Sequence, residues 1–179
     1  MVMTANEETV PSGLPLFRNP SLTHAEFCKH WLENHAALVT PYFLKGGSII
    51  EYTQIHLPEP RDRVGSIDAK EKLRPFDGVG FLKRKTEPHQ GTTIQGYYDN
   101  VILPDERRFL HEESGSSPVE KVPPTVEILP LGIAKWRELA LEVGGVEYTI
   151  IQNGKLVITF PEGAFEVWRR WDTGFEAEK

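Results

Sequence analysis

Three histidines, His24, His30 and His35, fall within residues 22–39, a stretch patterned as an amphipathic helix. Histidine is the side chain most readily poised to exchange protons near neutral pH. Thr23 is a candidate N-cap with Glu26 three residues on, the spacing of a capping box. Phe27, Trp31, Asn34, His35 and Leu38 recur at the three-and-four spacing of one face, which puts His35 at the edge of the apolar stripe. On an α-helix His30 lies about 140° around from His35, so the two rings are expected to have different jobs. A second ring-bearing pattern occupies residues 48–57, whose β-branched and aromatic content predicts a strand. Tyr52, Gln54 and His56 share one face of it, and Ile49, Glu51, Thr53 and Ile55 the other. If the helix packs over the polar face, His35, His56 and Tyr52 converge, and imidazole with phenol is suited to polarising a ketone or taking an α-proton.

Bland readings stand beside these. His35 near a helix end is equally well read as bonding a backbone carbonyl, and His30 reads as structural. Trp31 and Phe27 are most simply core residues, though an aromatic wall serves a flat substrate equally well. Asp77 before Gly78 reads as a turn residue twice as readily as a catalytic one. Lys83, Arg84 and Lys85 read as a solvated strand end.

Other chemistries lack their signatures. The six histidines show neither a His-Glu-x-x-His pattern nor a cysteine pair, so nothing fixes two metal ligands on one helix face. There is no Gly-x-Gly-x-x-Gly, no Gly-Lys-Ser/Thr and no Gly-x-Ser-x-Gly, which argues against nucleotide cofactors and a hydrolase elbow. A formal charge of −6 and a pI near 5.6 offer no basic stripe for nucleic acid. The single Cys28 excludes an intrachain disulfide and suits a reducing compartment. No run approaches the roughly 18 apolar residues of a membrane span. The expectation is a cytoplasmic protein that uses no cofactor or metal and binds neither nucleic acid nor membrane.

The elements that must position these groups can be laid out in order. Residues 1–13 read as a disordered tail and 13–18 as a short strand that Pro15 restricts to an edge. The helix of 23–39 stops at Thr40-Pro41. Residues 58–74 read as a charged loop with one helical turn, a candidate lid, and 76–85 as a strand whose glycines permit close approach. Residues 94–113 suggest two helical pieces broken at Pro104, with Asp105 and Glu106 as acids opening the second. A Ser/Pro-rich linker at 114–124 follows, then a candidate strand at 125–129 and a helix at 133–143. A hairpin at 146–160 closes at Asn153-Gly154. A terminal helix carries Phe165, Trp168, Trp171 and Phe175.

Taken together, Leu22-Thr-His-Ala-Glu-Phe with the rest of 22–39, Tyr52-Thr-Gln-Ile-His56, Phe76-Asp-Gly-Val79 and Tyr97-Tyr-Asp-Asn followed by Pro104-Asp-Glu-Arg-Arg-Phe109 resemble the EthD family, in family order over about residues 14–112. The variant resembles the fungal branch found in polyketide clusters. The resemblance implies an α+β, ferredoxin-like dimeric α/β barrel spanning residues 14–129, here followed by a C-terminal hairpin-and-helix extension at 130–179. It further implies a homodimer formed through the sheets and a cofactor-independent lyase acting on a small-molecule polyketide, most concretely a decarboxylase. Dehydration or aldol-type cyclisation uses the same groups, and a non-catalytic polyketide carrier and a cofactor-free oxygenase are the rival readings. On this reading His35 and His56 transfer protons and Tyr52 donates to an oxyanion. Trp31, Phe27, Phe81, Tyr98, His30 and Asp77 contact the substrate.

Overall fold

Alternation along three strands decides the architecture. The computed structural model describes residues 9–46, 49–86, 92–111 and 132–171. Its strands are β1 (Thr9–Leu16), β2 (Ile49–His56), β3 (Gly78–Lys85), β4 (Val146–Gln152) and β5 (Lys155–Leu156). They form one antiparallel sheet in the order β1-β3-β2-β4-β5. Leu14 pairs with Gly80 and Gly80 with Gln54, while Gly13 pairs with Phe81 and Phe81 with Thr53. Because directly opposed residues project to the same side, Leu14, Gly80, Leu82, Tyr52, Gln54 and His56 share one face. Phe81, Val79 and Ile55 share the other. The mixed helices and antiparallel sheet make an α+β protein consistent with the ferredoxin-like expectation.

Among the described residues β1 lies at a sheet edge, where Pro15 is tolerated, and it begins at Thr9, inside the stretch expected to be a tail. At the other end, Asn153 and Gly154 both take positive φ, 52° and 72°, as a two-residue hairpin turn demands. The second arm of that hairpin ends at Leu156, short of the expected 160, and β4 extends the sheet beyond β2.

On the Tyr52 face, helix α1 (His24–Lys29) runs through a π-helical segment (His30–His35) into α2 (Ala36–Lys45). The helix does not stop at Thr40-Pro41. It passes through Pro41, because the burial of Val39, Thr40 and Pro41 outweighs a local preference. Helix α4 (Thr92–Tyr97) likewise leads through a π segment (Tyr98–Ile102) into α5 (Leu103–Phe109). The expected break at Pro104 is absent. Pro104 sits in the first turn of α5, where its missing N–H is tolerated. Behind this layer α7 (Glu166–Trp171) sets Trp168 edge-on against Tyr97, ring centroids 4.5 Å apart.

The opposite face carries α3 (Ile67–Leu73) and α6 (Ile133–Glu142). Ile55, Val79, Phe81, Leu73, Trp136 and Leu139 form one buried cluster there. Residues 58–74 are therefore no lid over the polar face. They fold a 3-10 turn (Pro60–Asp62) and α3 on the far side, pinned by the buried Arg63, which donates to the carbonyls of Pro58, Leu73 and Phe76. The linker at 114–124, the strand at 125–129 and Phe175 lie outside the described residues. No described helix is long and apolar enough to cross a membrane.

Candidate functional site

The long helix starts where its sequence says it should. Thr23 Oγ1 accepts from Glu26 N at 3.2 Å, and Glu26 Oε2 accepts from Thr23 N at 2.7 Å, the reciprocal bonds of a capping box. From His30 the helix widens, with Ala36 N–H donating to Trp31 O five residues back. In such a π turn residues five apart stack one turn above the other. This corrects the expectation that His30 and His35 point apart. His30 Nε2 lies 2.8 Å from Asp105 Oδ1 and His35 Nδ1 lies 2.9 Å from Asp105 Oδ2, so one carboxylate joins both rings.

Asp105 is buried. Burial by itself would raise its carboxyl, but the hydrogen bonds from His30 and His35 outweigh it and hold the group down at about 2. An ionised carboxylate only accepts hydrogen bonds. His35 therefore donates from Nδ1 and keeps Nε2 for other work, the arrangement by which a buried aspartate orients a catalytic imidazole.

The strands supply the facing groups. Gln54, fully buried, donates from Nε2 to Trp31 O at 3.1 Å and to Tyr52 Oη at 2.7 Å, and its Oε1 accepts from His56 Nε2 at 2.9 Å. Since the Tyr52 oxygen accepts from Gln54, its own proton is left to donate elsewhere. Burial pushes the Tyr52 phenol well above its usual range, so it stays a neutral donor. Gly78 explains how Trp31 reaches the sheet: a Cβ there would sit 2.4 Å from Trp31 Cζ3.

Between helices and sheet lies a cavity of about 120 Å³ whose wall includes Trp31, His35, Tyr52, Tyr98, Glu106 and Leu82. Four of the predicted residues, His35, Tyr52, Trp31 and Tyr98, thus meet at one site. The other five lie elsewhere. His56 sits behind Trp31, stacked on its ring at 4.7 Å and 9° and bonded to Gln54. Burial, and then the charge of His24, lower its pKa to about 4. Phe81 falls on the opposite sheet face by strand alternation. Phe27 is buried against Trp31 and Phe109 rather than exposed to the cavity. Asp77 accepts from Arg18 N at 3.0 Å and from its Nη1 at 2.8 Å, which ties the chain after β1 to the start of β3. His30 holds Asp105 from outside the cavity wall.

Two groups escaped the sequence reading. Asp105 and Glu106 read there as acids favouring a helix start, yet Ile102, Asp105, Glu106 and Phe109 follow the spacing of an apolar stripe. Carboxylates set in such a stripe were the available signal. Glu106 accepts from Tyr98 Oη at 3.2 Å, and burial raises its carboxyl above the ordinary range despite the pull of His35 and Tyr98. Lysine and arginine are absent from the cavity wall among the described residues, and no cluster of three or more potential ligands there could hold a metal ion. The site thus sets a carboxylate-backed imidazole and a neutral phenol against an apolar cavity, groups able to exchange protons with and donate hydrogen bonds to a bound molecule.

A family model, EthD domain, matches residues 19–113, more than half of the chain. No curated protein and no solved structure matches it.

Proposed function

The chain belongs to the EthD family, and from that premise we propose that it is a cofactor-independent lyase decarboxylating an aromatic or β-keto acid of polyketide type. The observation that carries this reading is His35, set in the wall of an apolar cavity with Nδ1 held by buried Asp105 and Nε2 left to exchange protons. Loss of carbon dioxide breaks the bond between the carboxylate carbon and the α-carbon and sends the electron pair onto the neighbouring ketone oxygen. The Tyr52 hydroxyl is placed to stabilise that developing enolate oxygen. His35 then delivers a proton to the α-carbon. A substrate carboxylate entering this largely apolar wall, where lysine and arginine are absent among the described residues, loses much of its hydration, and loss of carbon dioxide relieves that cost.

Size limits the substrate. A cavity of about 150 Å³ binds benzene, so this one, at about 120 Å³, holds no more than a single ring, with the remainder of the molecule outside. Helices of the same chain cover both faces of the sheet, so the homodimer implied by the resemblance would not be a packing of bare sheet on sheet.

A second reading, dehydration or aldol-type ring closure, is favoured by Glu106. An imidazole backed by a carboxylate takes the α-proton, and a carboxyl whose proton burial makes harder to lose gives one to the departing hydroxyl. The test follows a single-ring β-keto acid and a β-hydroxy ketone with chelator present and no added cofactor, for wild type and His35→Ala. Loss of carbon dioxide by wild type alone supports the decarboxylase, and loss of water alone moves the assignment to the second reading. Binding without turnover identifies a carrier and overturns both.

A further inference from the structure

His30 takes no part in the chemistry above, yet it occupies half of the one carboxylate that His35 depends on. We propose that His30 is a positioning residue that governs His35 through Asp105, fixing the carboxylate from the solvent side and setting by its own charge how strongly Asp105 supports a positive His35. The inference deepens the reading of His35 as the proton-transfer group and rests on it.

The geometry is specific. Asp105 gives one oxygen to each ring, at 2.8 and 2.9 Å, so turning the carboxylate breaks one of the two bonds. Side-chain exposure falls from 22% at His30 to 9% at His35 and 6% at Asp105, so His30 is the member of the trio that water reaches. On its own segment the Asn34 amide nitrogen lies 3.5 Å from His30 Nδ1, on the side of the ring away from the Nε2 that meets Asp105. From α5 both rings face Asp105 and the uncharged ring of Phe109, 5.0 Å from His30 and 4.8 Å from His35, and His35 also faces Glu106. A single negative charge fully compensates one imidazolium, not two. When His30 takes up a proton it claims Asp105, and a second positive charge at His35 loses support. The charge on one ring is thus felt by the other through the carboxylate they share.

The experiment is a pH titration of the histidine ring signals by NMR on the full chain, for wild type, His30→Gln and His30→Ala. Expected in wild type is a His35 signal that responds to two protonation steps. In His30→Gln, whose amide still donates to Oδ1 but carries no charge, it responds to one. In His30→Ala, with the carboxylate free to turn, the His35 Nδ1–H exchanges with water at least about tenfold faster. A single step in wild type overturns the proposal, and needs no variant to be seen. Two steps in His30→Gln overturn it equally. These signals need no substrate, so a failure of the lyase reading remains distinguishable from a failure of this one. Where turnover is measured, His30→Gln keeps KM and changes the shape of the acid limb of kcat against pH, which a merely structural residue would not do.

Discussion

The two faces of the sheet are built from alternate residues of the same strands, yet one packs into an apolar core with a charged-rimmed pocket of about 110 Å³ at its Lys83 end, and the other holds the cavity of His35 and Tyr52. Beneath α3 and α6, Ile55, Val79 and Phe81 meet Leu73, Trp136 and Leu139, all buried. The neighbours of those strand residues, Gln54, Gly80 and Leu82, face the other way, with two glycines on β3 that leave room for the ring of Trp31. The difference lies in what each face withholds. The core face fills its space with branched and aromatic side chains, whereas the cavity face spends positions on glycine and on Tyr52, Gln54 and His56. Those polar groups are satisfied mainly by one another, which holds them in place and leaves the Tyr52 proton and His35 Nε2 for use.

Substitutions should separate the faces. The largest effect belongs to Asp105→Asn, expected to lower kcat by about 10²- to 10⁴-fold, the range of a lost acid–base contribution, with the fold retained by circular dichroism. Full activity would show that the dyad is ornamental. Trp136→Ala, on the core face, should cost about 3–5 kcal/mol of stability in denaturant titration while the surviving folded protein keeps its KM. Gly78→Ala drives a methyl into Trp31 and is expected to cost about 1–3 kcal/mol as overpacking and to weaken substrate binding. An unchanged melting curve would refute the close approach.

His56 sharpens the comparison further, since it lies on the cavity face but outside the cavity. With a pKa lowered to about 4 from 6.5, the unfolded chain binds its proton across that interval and the folded chain does not. Stability therefore rises with pH from about 4 to 6.5, is fully present above that, and is lost as pH falls through it. In His56→Gln the loss over this interval should disappear, with turnover at neutral pH changed no more than a few-fold. A collapse of turnover would return His56 to the chemistry. Smallest of all, Arg137→Ala removes an exposed pair with Glu147 and should alter stability by less than about 1 kcal/mol.

Elements that depend on local rules were legible in the chain. The Thr23–Glu26 box, the Asn153-Gly154 turn and the faces of β2 follow from spacing and backbone preference alone, whereas the convergence expected of His35, His56 and Tyr52 depended on the helix packing over that face, which brings His35 and Tyr52 to one cavity and leaves His56 behind Trp31. What escaped was decided by packing between distant segments. Phe81 is one residue from the cavity wall in sequence and on the wrong side of the sheet in space, because register with β1 and β2 fixes its face. Pro41 and Pro104 read as breaks, but burial and first-turn placement carry the helices through them. Asp105 found its role from partners 70 and 75 residues earlier in the chain, which α-helical spacing could not join because the turn between His30 and His35 is not α-helical.

That widened turn, and its counterpart at Tyr98–Ile102, means that each of the two helices flanking the cavity carries a residue in excess of what a regular helix would need. Deleting one residue within His30–His35 would let the backbone relax to ordinary pitch, rotating everything before it by about 100° and drawing it in by about 1.5 Å. Phe27 and His30 would swing off their partners while His35 stayed. The site is thus the product of an insertion as much as of a choice of side chains, and chains of this kind that differ by one residue in that turn would share the fold without sharing the trio.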